Sequence, residues 1–174
     1  MPDKAVILDA NLLILLAVGL ASPRHIATHK RLGQYSKRDF DLLRGLLTKA
    51  SRIVVTPNTL TGAFNLSVHI AEPVRTHIKR VFRHLLTETE EIYVESVRAS
   101  RHAAFDRLGL TDCVVLGAAT AGHVVMTADL GLYLQAANKG LKPSISTIIA
   151  TGTYNPARRS ALARIRPRWY SAPA

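Results

Sequence analysis

Three aspartates lie in strongly apolar segments of the chain. Asp9 follows Val-Ile-Leu, Asp112 precedes Cys-Val-Val-Leu, and Asp129 follows Met-Thr-Ala. Carboxylates that cluster near a buried surface lose solvation and repel one another unless a cation or a proton joins them. Oxygen ligands alone suit Mg²⁺ or Mn²⁺ better than zinc or copper. A cation held there would activate water and stabilise charge developing on a phosphate, which is the chemistry of phosphodiester hydrolysis.

Each aspartate also has a purely structural explanation. Asp9 can close an Asx turn after a strand. Asp112 can lie in the first turn of a helix and gain roughly 0.3–1 kcal/mol from the helix dipole, and Asp129 can be a helix N-cap. Singly, these explanations suffice. Because two of the acids end apolar strands and the third begins an apolar helix, the set together indicates one shared site.

Hydrophobic periodicity indicates the elements that must position these acids. Short apolar or β-branched runs predict strands at residues 5–8, 52–56, 92–94, 123–127 and 144–150. Apolar stripes at helical spacing predict helices at residues 12–21, 37–50, 73–86, 97–107, 111–121 and 130–139. Pro57 suits the first position of a further helix, which Thr56 caps.

Alternating strands and helices predict an α/β fold in the form of a three-layer α/β/α sandwich with a mainly parallel central sheet. The length of 174 residues fits one domain, at residues 1–151, followed by a basic tail at 152–174. In open parallel sheets, sites lie beyond the carboxyl ends of the strands. Asp9 and Asp129 come just after two such ends, which favours a common location for both.

The charge balance favours a polyanionic partner. Lys and Arg outnumber Asp and Glu by 23 to 12, a net charge of +11, and residues 24–52 and 156–174 account for the whole excess. Such stretches are usually solvated faces, but two of the same sign favour contact with a phosphate backbone. The tail can equally pack against the domain or hold an acidic protein segment. The candidate nucleic-acid-binding residues are Arg158, Arg159, Arg164, Arg166 and Arg168.

The apolar run near the amino terminus is not expected to direct export. Asp9 interrupts it, and its uninterrupted part at residues 12–21 is half the length that spans a bilayer. The single cysteine, Cys113, allows no internal disulfide and fits a reducing compartment. We therefore expect a cytoplasmic protein without a membrane partner.

Four short segments stand in order along the chain: Val-Ile-Leu-Asp9-Ala-Asn11-Leu-Leu, Val-Val-Thr56-Pro57-Asn-Thr-Leu-Thr-Gly62, Leu-Thr111-Asp112-Cys and Val-Met-Thr127-Ala-Asp129-Leu. Together they resemble the PIN domain, a family of small metal-dependent ribonucleases that includes many toxins of bacterial toxin–antitoxin pairs. The resemblance implies that Asp9, Asp112 and Asp129 bind the metal or position its water. It implies that Asn11 and Thr127 orient these acids. A helix-start cap for Asn11 and a strand-end hydroxyl for Thr127 are the open alternatives.

One position departs from the family pattern. The resemblance implies a glutamate, the fourth acid of the cluster, where this chain has Gly62. Glu72 is a poor substitute because it lies ten residues further on, or ~15 Å along a continuous helix. Two explanations compete: a deliberate change that weakens a toxic nuclease, or a naturally degenerate member. In both cases we expect weaker metal binding than in a relative with four acids.

The resemblance implies an endoribonuclease that depends on Mg²⁺ or Mn²⁺ and is the toxin of a type II toxin–antitoxin pair. It also implies an RNA substrate, an antitoxin partner and a homodimer. The alternative, suggested by Gly62, is a catalytically silent PIN-like module that binds RNA or protein. A phosphotransfer enzyme is a third candidate, but a phosphoaspartate at Asp9 would typically need a second acid where the chain has Asn11.

Overall fold

The computed structural model describes residues 4–120 and 122–145 and contains five strands and seven α-helices in that part of the chain. The strands are β1 (Lys4–Leu8), β2 (Ala50–Val55), β3 (Thr89–Glu91), β4 (His123–Thr127) and β5 (Lys142–Ile145). The helices are α1 (Ala10–Ala21), α2 (Lys37–Leu47), α3 (Pro57–Ser67), α4 (Val74–Glu88), α5 (Ser96–Ser100), α6 (Phe105–Ala118) and α7 (Leu130–Asn138).

The five strands form one sheet in the order β3-β2-β1-β4-β5, and each neighbouring pair is parallel. Strand β1 is central, with Ile7 opposite Val54 of β2 on one side and Val125 of β4 on the other. The chain builds outward from β1 through β2 to β3 and then returns to the other side of β1. The carboxyl ends of β1 and β4 therefore flank the point where the strand order reverses, which is where α/β sheets bind ligands.

Side chains of the strands alternate between two hydrophobic clusters. Val6 and Leu8 of β1 join a cluster formed with α1 to α4, whereas Ala5 and Ile7 join a second cluster formed with α5 to α7. Parallel crossovers are right-handed, so a reversal of strand order moves the following helices to the opposite face. This explains why α1 to α4 pack against one set of β1 side chains and α5 to α7 against the other set.

Helix α1 explains why the sequence holds an almost uninterrupted apolar run after Asp9. Its residues from Leu12 to Leu20 are buried because α2, α3 and α4 all pack against it. The packing against α2 is tightest at Gly19, where an added Cβ would lie 2.2 Å from Cδ2 of Phe40. A glycine at this position therefore allows the close approach of the two helices.

The α/β class with a parallel sheet is confirmed, as are the strand at 123–127 and the Thr56-capped helix that begins at Pro57. The predicted strand at 92–94 is wrong, because β3 is Thr89–Glu91 and only the Ile92 N–H continues the pairing, to the carbonyl of Val55. The prediction followed the apolar residues at 92–94, whereas β3 is a polar strand at the edge of the sheet, in which Glu90 forms an ion pair with Arg52.

Several predicted helix boundaries also differ from the structure. The predicted helix at 97–107 is wrong, because a turn separates the short α5 from α6. Helix α6 begins before residue 111 and is interrupted at Gly109, whose φ of 79° lies in the region that glycine adopts readily. The predicted helix at 37–50 is too long at its end, since α2 stops at Leu47 and β2 begins at Ala50.

The carboxyl-terminal predictions fall mostly outside the described part. Strand β5 begins at Lys142, two residues before the predicted start, and residues 146–150 are not described. The tail at 152–174 and its five arginines also lie outside the described residues. Within residues 4–120 and 122–145, no helix has both the length and the apolar character needed to cross a bilayer.

Candidate functional site

Asp9 is held at the carboxyl end of β1 by hydrogen bonds to both of its carboxylate oxygens. It is the N-cap of α1, and its Oδ1 accepts the backbone N–H of Leu12 at 2.7 Å. Its Oδ2 accepts the hydroxyl of Thr127 and the backbone N–H of Ala128 from the end of β4. Its side chain is buried, and burial is the main cause that raises its pKa, with a smaller contribution from the charge of Asp129.

Thr127 joins Asp9 to Asp129. Its hydroxyl donates to Asp9 and accepts the backbone N–H of Asp129 at 2.9 Å. A hydroxyl can do both at once, which fixes the loop after β4 against the end of β1. The strand-end hydroxyl and the orienting role are therefore the same contact, so the two explanations for Thr127 do not compete.

Asp129 is exposed and is the N-cap of α7, because its Oδ1 accepts the backbone N–H of Leu132 at 2.9 Å. The structural explanation for this residue is thus correct, and it leaves the second carboxylate oxygen available. Gly131 lies against it, since an added Cβ would lie 3.0 Å from Oδ1 of Asp129 and 3.0 Å from Leu108. The small residue leaves room for the cap, which the sequence alone did not indicate.

Asp112 lies on α6, which packs in the cluster that contains Ile7, whereas α1, the helix that Asp9 caps, packs in the cluster that contains Leu8. The interruption at Gly109 restarts α6, so Asp112 lies in the first turn of the regular segment, as its structural explanation predicts. It is half-buried, and no hydrogen bond to its carboxylate is found within the described residues. Burial, then the charges of Asp9 and Asp129, raise its pKa to about 6. The three predicted aspartates therefore interact with one another.

The described residues provide no basic partner for these three carboxylates. The two ion pairs found in the described residues join Lys37 to Asp41 and Arg52 to Glu90. Within the described residues, three interacting aspartates at one end of the sheet thus lack a basic partner, in a chain with a net charge of +11. Such an arrangement is unfavourable without a cation or a proton to join the charges.

The chemistry of these side chains fits a hard cation. All the available atoms are oxygens, and Mg²⁺ binds through one or two carboxylates while it keeps several waters. Residues 4–120 and 122–145 contain no group of three or more His, Cys, Asp or Glu side chains close enough to enclose a metal ion. The aspartates therefore share an electrostatic field rather than one closed coordination shell.

Gly62, where the family resemblance implies a glutamate, is half-buried in the second turn of α3. An added Cβ would meet no atom within 4 Å, so the backbone there accepts a side chain without a clash. Helix α3 contacts α1, which Asp9 caps, and α6, which carries Asp112. Glu72 does not replace the missing acid, because it is exposed and accepts the backbone N–H of Thr76.

Asn11 is not brought into this network. Its side chain is exposed in the first turn of α1, and the described residues give it no hydrogen bond to Asp9, Asp112 or Asp129. The alternative of a helix-start cap is wrong, since Asp9 is the N-cap. The predicted orienting role of Asn11 has no contact to support it.

Tyr35 is a residue that the sequence reasoning missed. It is 4% exposed, and its hydroxyl is a buried side-chain polar atom for which no hydrogen-bond partner is found within the described residues. Burial and the charges of Asp9, Asp39 and Asp129 raise its pKa to about 12. It precedes Ser36, which forms a capping box with Asp39 at the start of α2. That box is visible in the sequence, but nothing in it marks Tyr35.

Comparisons with known proteins leave the site to be interpreted from its own geometry. The chain matches no protein-family model, and no curated protein matches it.

Proposed function

We propose that the chain is a metal-dependent endoribonuclease of the PIN-like type, with its active site at the carboxyl ends of β1 and β4. The observation that carries this proposal is the group of three interacting aspartates at the ends of β1 and β4 and at the start of the regular part of α6, for which the described residues provide no basic partner. Burying uncompensated charge is unfavourable, so a fold that keeps it at a strand-order reversal indicates a site for a cation.

Asp112 and Asp129 would be the carboxylate ligands of Mg²⁺ or Mn²⁺, which keeps several waters, and Asp9 would contribute its negative charge from the buried side. When bound, the ion activates water and stabilises charge that develops on the phosphate. The exposure of the three side chains supports these different roles, because Asp9 is buried, Asp112 is half-buried and Asp129 is exposed. Asp112 has the fewest competing contacts, since no hydrogen bond occupies its oxygens within the described residues.

The remaining side chains keep these acids in position. Two backbone N–H groups and the Thr127 hydroxyl fix Asp9. The backbone N–H of Leu132 fixes Asp129, so its rotamer does not need to be ordered at the moment of binding. Such preorganisation lowers the entropy cost of holding a cation and a substrate phosphate.

RNA is the proposed substrate because exposed basic faces would attract its phosphate backbone. The outer face of α4 is one example, with Arg75, Lys79, Arg80 and Arg83 exposed and the opposite stripe buried. Such a surface attracts a phosphate backbone without reading its sequence. As part of the same proposal, the protein acts in the cytoplasm as a homodimeric toxin, and an acidic antitoxin neutralises its basic surface.

The second candidate is a catalytically silent PIN-like module that binds RNA or protein. Gly62 favours it, because the position that resembles the fourth acid carries no side chain although the structure has room for one. The two candidates differ in their response to metal. A functional site gains RT ln(1 + [L]/Kd) of stability from Mn²⁺, which is about 2.7 kcal/mol at 100 times Kd.

The test compares RNA cleavage with saturating Mn²⁺ by the chain, Gly62→Glu, Gly62→Gln and Asp112→Asn. Gly62→Gln is the matched control, because it adds the same bulk and helix propensity without the charge. We expect Gly62→Glu to cleave faster than the chain, Gly62→Gln to stay at the level of the chain, and Asp112→Asn to lose activity. Asp106→Asn, on an exposed residue of the same helix, should change nothing.

The outcomes separate the candidates. Mn²⁺-dependent cleavage that Asp112→Asn removes supports the nuclease. RNA binding without cleavage by either the chain or Gly62→Glu, and without stabilisation by Mn²⁺, would leave the silent module as the better description. Activity on a small phosphate ester with RNA left intact would instead favour phosphotransfer.

A further inference from the structure

A second concave site lies between α5, the later part of α6 and the end of α7, and none of the three aspartates lines it. It has a volume of about 440 Å³, which is within the range of pockets that bind small molecules. The residues of α6 and its following loop that line it, such as Leu116 and Thr120, precede β4. The aspartates at 9 and 129, by contrast, follow the ends of β1 and β4.

The lining combines positive charge with an apolar floor. Arg98, Arg101 and Lys139 contribute the charge, and no Asp or Glu is among the lining residues. Neither arginine forms an ion pair with a described carboxylate. The floor is formed by Val94, Ala99, Cys113 and Leu116. The thiol of Cys113 is buried, and burial raises its pKa, so it acts as part of this apolar surface rather than as a nucleophile.

Hydrogen-bond donors on four side chains complete the site. Nδ1 of His102 accepts the backbone N–H of Ala104 at 3.1 Å, which leaves the proton of a neutral ring on Nε2 as a donor. Lys139 already donates to the carbonyl of Leu116 at 3.1 Å, so its ammonium is held at the cavity wall. Arg98 and Arg101 supply the planar guanidinium groups that bind phosphate through two hydrogen bonds at once.

We propose that this cavity binds a small organic phosphate of about the size of a nucleoside monophosphate. The phosphate group would contact Arg98 and Arg101, and the apolar part would lie against Val94 and Leu116. The volume favours a molecule of this size over inorganic phosphate alone.

The experiment is calorimetric titration of the full chain with AMP, adenosine and inorganic phosphate, in EDTA and at one fixed ionic strength. EDTA removes binding that a metal at the aspartates would support. We expect AMP to bind at least about tenfold more tightly than either fragment, since only AMP uses both the charged wall and the floor. The double variant Arg98→Ala/Arg101→Ala should weaken AMP binding at least about tenfold, within the range of two lost charge-assisted contacts.

Arg83→Ala is the matched control, because Arg83 is exposed on α4, which packs in the other hydrophobic cluster. It should leave AMP binding unchanged. Because EDTA is present, the result does not depend on the proposed nuclease site. The proposal is overturned if AMP does not bind, or if it binds equally to the double variant while that variant has the thermal stability of the parent chain. It is also overturned if the double variant loses affinity for an RNA oligonucleotide and not for AMP, which would make the cavity part of an RNA surface.

Discussion

Replacing Asp112 by asparagine tests the electrostatics of the site without any assumption about its activity. The variant keeps nearly the same shape, and no hydrogen bond to the carboxylate is lost within the described residues. What it removes is a half-buried charge that Asp9 and Asp129 repel. The pKa of Asp112 is raised from 3.8 to about 6 in the folded protein, so its ionisation above that pH destabilises the fold.

The sign follows from proton linkage. Between about pH 4 and pH 6 the folded state binds the proton of Asp112 more tightly than the unfolded state does, so stability falls as pH rises. A shift of about two units corresponds to ~3 kcal/mol at 1.36 kcal/mol per unit. Because the side chain is only half-buried, solvent screening reduces the expected effect to about 1–2 kcal/mol.

The assay is urea unfolding of the chain and of Asp112→Asn at pH 4, 6 and 8 in EDTA. We expect the free energies of unfolding to be similar at pH 4, and the variant to become more stable by about 1–2 kcal/mol at pH 8. Asp106→Asn is the control and should show no such trend. A difference between the chain and Asp112→Asn that does not change with pH would refute the claim that burial and the charges of Asp9 and Asp129 raise the pKa of Asp112.

Three further substitutions test contacts around the site, each by urea unfolding. Gly19→Ala should destabilise the fold by about 1–3 kcal/mol, because its Cβ would collide with Phe40; a change below 0.5 kcal/mol would contradict the close approach. Thr127→Val should cost about 1–3 kcal/mol by removing the hydroxyl that donates to Asp9, and Thr127→Ser should restore most of it. Tyr35→Phe should leave stability in EDTA unchanged or higher, since its hydroxyl has no partner within the described residues; a loss above about 1 kcal/mol would show that one exists.

Periodicity predicted the central elements of the fold well and the peripheral ones less well, for a physical reason. Strands β1, β2 and β4 are covered on both faces and therefore appear as apolar runs. Strand β3 is an edge strand whose Glu90 and Glu91 are exposed, so the signal shifted to the apolar residues that follow it. The break at Gly109 depends on a positive φ, which hydrophobic spacing does not encode.

The site divides in the same way. Asp9, Asp112 and Asp129 could be found because charged residues in apolar segments are rare enough to need an explanation. The hydroxyl of Thr127 contacts Asp9, which lies 118 positions away in the sequence, and also accepts the backbone N–H of Asp129. The parallel pairing of β1 with β4 makes the contact with Asp9 possible. Tyr35 could not be found, because its burial depends on how the loop before α2 folds over the site.

The structural and functional explanations of the aspartates turn out to be compatible rather than competing. Capping a helix uses one carboxylate oxygen of Asp129, and the N–H groups that fix Asp9 also hold it where a second acid can approach. The caps thus stabilise a charged arrangement that would otherwise relax, and the repulsion appears at Asp112, the acid with the fewest hydrogen bonds. Under the proposed function, a fourth acid in place of Gly62 would add to this repulsion, so we expect Gly62→Glu to be less stable than the chain in EDTA and to bind Mn²⁺ more tightly. That trade between stability and metal affinity is why the position of Gly62, rather than the three aspartates, separates the nuclease from the silent module.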